Sequence, residues 1–248
     1  MINYPFTPYK SESWTPLSLS NQKYWYRSDD VILSGSDVTV ANQKFPAGVA
    51  INANFFGTLP TQTLDSLNQK PSLNFDLTTV ATLTDPSTTQ VVDESSVFTL
   101  AYVVDPPTLS SGTFYGLLNL AGVDDTNSPH IFYTNLPGLP NFYMQIGNGT
   151  VIVVGADFDI SQPHSAILTY DGGGYANSTS WNLLINGISQ TISVISTTGG
   201  GGNTNVWGDN SGGGATPPFY YYELLLVGLN NAGNLANLLN YFNARYGL

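Results

Sequence analysis

Phe219-Tyr220-Tyr221-Tyr222-Glu223-Leu224-Leu225-Leu226-Val227 is an apolar and aromatic run interrupted by a single acidic residue. Such a run, without polar alternation, is the pattern of a strand buried on both faces. Gly228 breaks it, and Asn230 or Asn231 can cap a helix start with a side-chain oxygen. Leu235, Leu238, Leu239 and Phe242 then recur at helical spacing, with asparagines on the opposite face. The spacing predicts a helix over 231–245, with Arg245 favourably placed at its negative end and Gly247 as a stop. No other stretch carries a convincing helical period, so a single helix closes a chain of strands.

Working back from this ending, Val31–Ala41 and Val49–Phe56 read as short strands. Ser96–Val104 is the strongest strand of the first half and is closed by Asp105-Pro106-Pro107. Thr113–Leu120, His130–Thr134, Phe142–Ile146 and Val151–Gly155 continue at spacings that suit a sandwich. Ser165–Tyr170 and Trp181–Ile185 form the next pair, across Asp171-Gly172-Gly173-Gly174, and Gln190–Ser196 follows. Residues 1–20 are expected to form an arm, docked on the body or on a neighbouring subunit; a strand extending the same sheet is an equal alternative. No repeat and no linker divides the remainder, so residues 21–248 are expected to be one domain.

Several short stretches resemble, in family order, the concanavalin A-like (LamG-like) jelly-roll domains of bacteriophage virion proteins. Trp14-Thr15-Pro16-Leu17 with Tyr24-Trp25-Tyr26-Arg27-Ser28-Asp29-Asp30 is similar to the family's opening. Lys70-Pro71-Ser72-Leu73-Asn74-Phe75-Asp76 resembles a characteristic strand, and Leu183-Leu184-Ile185-Asn186-Gly187 a characteristic strand and turn. At the end, a strand carrying a glutamate (here Glu223) leads into a helix closing on a Tyr-Gly pair, as in Asn243-Ala244-Arg245-Tyr246-Gly247-Leu248. The resemblance implies an all-β, concanavalin A-like jelly-roll β-sandwich with one C-terminal α-helix.

Composition agrees with one large all-β domain of 248 residues, 42% of them apolar. Only 9% are Asp, Glu, Lys or Arg, against roughly 25% in an average soluble domain. Few charges lose hydration when such a surface is buried in an assembly. The net charge of −11, with six Lys and Arg, argues against a nucleic-acid partner and an anionic membrane. With no Cys, there is no disulfide, thiolate metal site or cysteine nucleophile. Met1-Ile2-Asn3-Tyr4-Pro5-Phe6 carries neither a basic nor an apolar signal region, and no apolar run reaches membrane-spanning length.

Gly199-Gly200-Gly201-Gly202 lacks the Lys-Ser/Thr and helix of a phosphate loop. With Gly212-Gly213-Gly214 it instead flanks Asn205, Trp207, Asp209 and Asn210. An aromatic ring among amides and a carboxylate can stack on a sugar face while its neighbours bond the hydroxyls. These four residues are therefore the glycan-binding candidates; the alternative packs Trp207 on the core beneath a loop. Asp124, Asp125 and Asn127 offer hard oxygens for Ca²⁺, although an Asx turn explains them equally well. Asp157 and Asp159 form a weaker pair, expected on a strand. His130 and His164 each follow a proline at an expected strand entrance, where a structural role is anticipated. Glu12, Glu94 and Glu223 lie far apart and make no glycosidase cluster, so no catalytic residue is expected.

The sequence thus leads to a non-catalytic virion surface protein: a head decoration, a fibre or a tail-associated jelly roll. It is expected to assemble with other virion proteins and with itself as a homo-oligomer, and to bind host or environmental glycans. No cofactor is required. A cellular, lectin-like carbohydrate-binding module is the alternative, and a degenerate glycoside hydrolase a more distant one.

Overall fold

The computed structural model describes residues 14–45, 53–56, 59–64, 67–75, 80–82, 97–106, 108–109, 111, 114–120, 130–135, 137–146, 149–199, 205–207, 219–228 and 232–248. Its first strands are β1 (Gln22–Arg27), β2 (Val31–Ser34), β3 (Asp37–Ala41), β4 (Ala53–Phe56), β5 (Thr61–Leu64), β6 (Pro71–Phe75) and β7 (Val80–Thr82). The middle of the chain forms β8 (Phe98–Asp105), β9 (Phe114–Leu120), β10 (His130–Thr134), β11 (Phe142–Ile146) and β12 (Gly149–Ala156). Then come β13 (His164–Tyr170), β14 (Trp181–Ile185), β15 (Ile188–Ser189), β16 (Ser193–Gly199), β17 (Asn205–Trp207), β18 (Phe219–Val227) and helix α1 (Leu235–Tyr246).

Strand β18 is the spine. On one side it pairs with β8, and on the other β1 takes its second half while β6 takes its first. Strands β13, β14 and β15 extend this sheet beyond β8. The second sheet runs β16-β12-β11-β10-β9-β17-β7-β4-β3-β2. Strand β5 joins the two, pairing with β6 along its length and touching β3 at Asp37 and Thr61. Every one of these pairings is antiparallel, and the result is an all-β jelly-roll sandwich closed by one C-terminal helix.

The β18 sheet is covered on both faces, which accounts for the apolar run at 219–227. Alternation along β8 sends Leu100, Tyr102 and Val104 into the inter-sheet core and Ala101 and Val103 to the outer side. On that outer side Leu238, Phe242 and Tyr246 of α1 pack with Trp25, Tyr222, Leu225 and Val227. The β18–β8 register shifts between Tyr221 and Glu223. This bulge turns two successive residues, Tyr222 and Glu223, toward the helix.

The helix differs from the expected 231–245 at its start. A 3-10 turn, Ala232–Asn234, precedes the α-helical residues, and Asn230 and Asn231 lie outside the described residues. Its end is as expected: Gly247 adopts φ 74° and donates its N–H to the Asn243 carbonyl at 2.9 Å. Asn186 (φ 47°) and Gly187 (φ 80°) make the tight turn between β14 and β15. Of the segment 1–20, residues 14–20 are described. Trp14 meets the Tyr241 ring edge-on at 6.5 Å, and Leu19 is buried in the helix-side cluster.

Candidate functional site

Five strand ends meet at one rim of the sandwich. The last residues of β8, β10 and β12 lie there beside the first residues of β11 and β13, as the pairs Phe142–Ala156 and His164–Val104 fix. The loops leaving these ends enclose a cavity of about 260 Å³, lined by Thr108, Leu109, Thr134, Asn135, Asn141, Phe158, Asp159, Ile160 and Ser161.

Side-chain hydrogen bonds shape the cavity wall. Asn141 grips Phe158 like a short stretch of strand: its Oδ1 accepts the Phe158 N–H at 3.0 Å and its Nδ2 donates to the Phe158 carbonyl. The Asn141 N–H donates to Asp157 Oδ1 at 3.0 Å, and the Asn141 carbonyl accepts the Thr134 N–H at 2.8 Å. Asp159 Oδ1 accepts both the N–H (2.9 Å) and the hydroxyl (2.6 Å) of Ser161, an Asx turn. Asp159 Oδ2 makes no protein hydrogen bond among the described residues, and Asp159 lines the cavity. Asn135 Nδ2 holds the Leu109 carbonyl at 3.1 Å. Asp157 and Asp159 therefore lie in the loop after β12, not on a strand as the sequence suggested, because β12 ends at Ala156.

Beneath the half-buried Phe158 ring lies a rigid aromatic floor. Its centroid is 5.3 Å from His164, 6.0 Å from Phe142 and 6.3 Å from Tyr133. His164 Nδ1–H donates to the Gln162 carbonyl at 2.8 Å, which leaves Nε2 to accept the Tyr133 hydroxyl at 2.6 Å. Tyr133 is in turn 3.0 Å from the Tyr102 hydroxyl. Burial pushes the His164 imidazole down to about 4, so it is neutral at ordinary pH. The Ser161 hydrogen bonds hold Asp159 below its usual range, so that it is ionised. Among the described residues, the lining contains no Lys or Arg. Apolar surface from Phe158, Ile160 and Leu109 beside the acceptors of Asp159 and Ser161 can receive a small polyhydroxylated molecule.

A second polar cluster, under α1, is sealed instead. Glu223 is fully buried and accepts from Trp25 Nε1, from Tyr246 (2.6 Å) and from Tyr241 (3.0 Å), while Arg245 Nε lies 3.4 Å away. Arg245 also pairs with Asp29, which pairs with Arg27. Burial raises the Glu223 carboxyl despite these partners, and Arg245 is held above its ordinary value. With its oxygens bonded and its side chain fully buried, Glu223 locks the helix to the sheet.

Asn205 and Trp207 lie on β17, inside the second sheet opposite Leu120 and Leu118 of β9. The first cavity-lining residue of that sheet, Thr134, pairs with Phe114 at the far end of β9. Asp209 and Asn210 lie outside the described residues, as do Asp124, Asp125 and Asn127. Among the described residues, no three His, Cys, Asp or Glu side chains come together as a metal site. His130 and His164 open β10 and β13 as expected. The cavity residues Asn135, Asn141, Phe158 and Ser161 escaped the sequence reading; the one local signal was the Asx pattern Asp159-Ile160-Ser161.

No protein-family model matches the sequence, and no curated protein matches it. Solved structures do resemble the fold. The binding domain of Paraclostridial Mosquitocidal Protein 1 superposes with a TM-score of 0.57 at 13% identity, covering 90% of this chain and 53% of that one. Domain 4 of the extracellular arabinanase AbnA from Geobacillus stearothermophilus, in complex with arabinotriose, gives 0.53 at 13% identity, covering 88% of this chain and 98% of that domain. The binding domain of botulinum neurotoxin serotype D gives 0.50 at 10% identity. The chain spans about half the length of the toxin binding domains it matches. At these identities the likeness establishes the jelly-roll fold.

Proposed function

We propose that this chain is a non-catalytic glycan-binding jelly roll displayed on a virion surface, with the rim cavity as its binding site. The observation that carries the binding half is the cavity itself: a rigidly backed aromatic and aliphatic surface beside an ionised carboxylate with an unbonded oxygen. A sugar ring needs both, an apolar patch for its C–H face and acceptors for its hydroxyls. The fold is also that of an arabinanase domain crystallised with arabinotriose. The non-catalytic half is supported by Glu223, which is sealed under the helix. The virion assignment rests on the sequence resemblance and on the weakly charged composition.

A second reading is favoured by one observation. The chain covers 98% of domain 4 of an extracellular arabinanase. It would then be a carbohydrate-binding module of a larger cellular protein.

Glycan-array binding of the wild type, Asp159→Ala and Trp207→Ala proteins tests the site. Loss of signal in Asp159→Ala with an unchanged melting temperature, and retention in Trp207→Ala, is the expected result. Loss in Trp207→Ala alone would move the site to β17. Quantitative mass spectrometry of purified particles tests the location, and absence from particles would favour the cellular module.

A further inference from the structure

We infer that the rim cavity selects neutral glycans and rejects acidic ones such as sialylated or uronate-containing sugars. The inference rests on the reading of this cavity as a glycan site and adds the class of glycan. An acidic sugar is held best by a cation facing its carboxylate, and among the described residues the cavity lining has a carboxylate and no cation. Asp159 projects an ionised carboxylate with one unbonded oxygen, and Asp157 stands two residues away at the same rim. Each lining amide has one N–H tied down, that of Asn141 by the Phe158 carbonyl and that of Asn135 by the Leu109 carbonyl, so one N–H of each is left to set against the charge of Asp159. The His164 imidazole lies under the Phe158 ring with both nitrogens bonded.

The described cations stand elsewhere. Arg27 and Arg245 are drawn to Asp29 and Glu223 beneath α1, Lys44 pairs with Asp30, Lys23 lies on β1 beside Gly228, and Lys70 closes the turn before β6. The overall charge of −11 adds a long-range field of the same sign. A carboxylate on the ligand would thus meet like charge at short range, whereas a neutral ring gives its hydroxyl protons to Asp159 and its C–H face to Phe158 and Ile160.

The test pairs each neutral oligosaccharide with its acidic counterpart, lactose with 3′-sialyllactose and a galactose oligomer with the galacturonate oligomer. Isothermal titration is run with wild-type protein and Asp159→Asn at about 20 mM and about 300 mM salt. The expected result is binding of at least one neutral member, with its acidic partner weaker by roughly tenfold at low salt. That gap should narrow at high salt, since screening lengths shorten below ~6 Å there, and narrow again in Asp159→Asn. Equal or tighter binding of the acidic member by wild type overturns the selectivity while leaving glycan binding intact. No binding to any member of a full array overturns the glycan reading, and this inference with it.

Discussion

Replacing His164 by Gln should flatten the acid side of the stability profile. The imidazole is 1% exposed and is held neutral down to about pH 4 in the fold, against 6.5 in a solvated chain. As pH falls through 6.5, the unfolded chain takes up a proton that the folded protein refuses, so stability drops. The decline runs at about 1.4 kcal/mol per pH unit and levels off once the folded protein also protonates. Between the two values the loss amounts to about 3 kcal/mol, and complete burial means that no solvent screening reduces it. Glutamine keeps an acceptor for the Tyr133 hydroxyl and does not titrate. Urea unfolding of both proteins at intervals from pH 7.5 to 3.5 gives two curves. Their difference cancels the contributions of Asp29 and Asp30, which fall in the same direction, and of Glu223, which runs in the opposite one. The reasoning is refuted if the difference between wild type and His164→Gln changes by less than about 0.5 kcal/mol over that range.

Three further outcomes are expected. Glu223→Ala leaves the Trp25 N–H, two tyrosine hydroxyls and part of the Arg245 charge without their acceptor, and should cost about 3–5 kcal/mol in urea unfolding. Gly155→Ala drives a Cβ to 2.6 Å from the Phe142 carbonyl oxygen and 2.8 Å from Pro140 Cγ. A destabilisation of about 1–3 kcal/mol should follow, with a shift of Pro140 visible in a crystal structure. Asn141→Ala removes both side-chain bonds to the Phe158 backbone, so hydrogen exchange at the Phe158 amide should accelerate at a stability loss of about 1–2 kcal/mol.

The parts of this molecule that could be read from sequence are those fixed by local repetition. The unbroken run at 219–227 announced a strand covered on both sides, and the Leu235, Leu238, Leu239 and Phe242 spacing announced what covers its outer face. The bulge at Tyr222 was not legible, since it depends on the register against β8. For the same reason the four-partner environment of Glu223 could not be foreseen: Trp25, Tyr241, Tyr246 and Arg245 reach it from two ends of the chain. The rim cavity is harder still, because Leu109, Asn135, Asn141 and Phe158 come from three loops, each of which looks like ordinary turn chemistry. Trp207 drew attention through its polar neighbours in sequence, but the β17 pairing places it within a sheet.

The position of the helix has a practical corollary for handling the molecule. Trp14 and Leu248 both pack into the cluster on the α1 side of the β18 sheet, whereas Leu109, Phe158 and Ile160 belong to the inter-sheet side. One sheet thickness therefore separates the two described extremities from the cavity. A tag or tether at Leu248 starts from the outer face of that sheet, so it can be added without displacing any residue that lines the cavity.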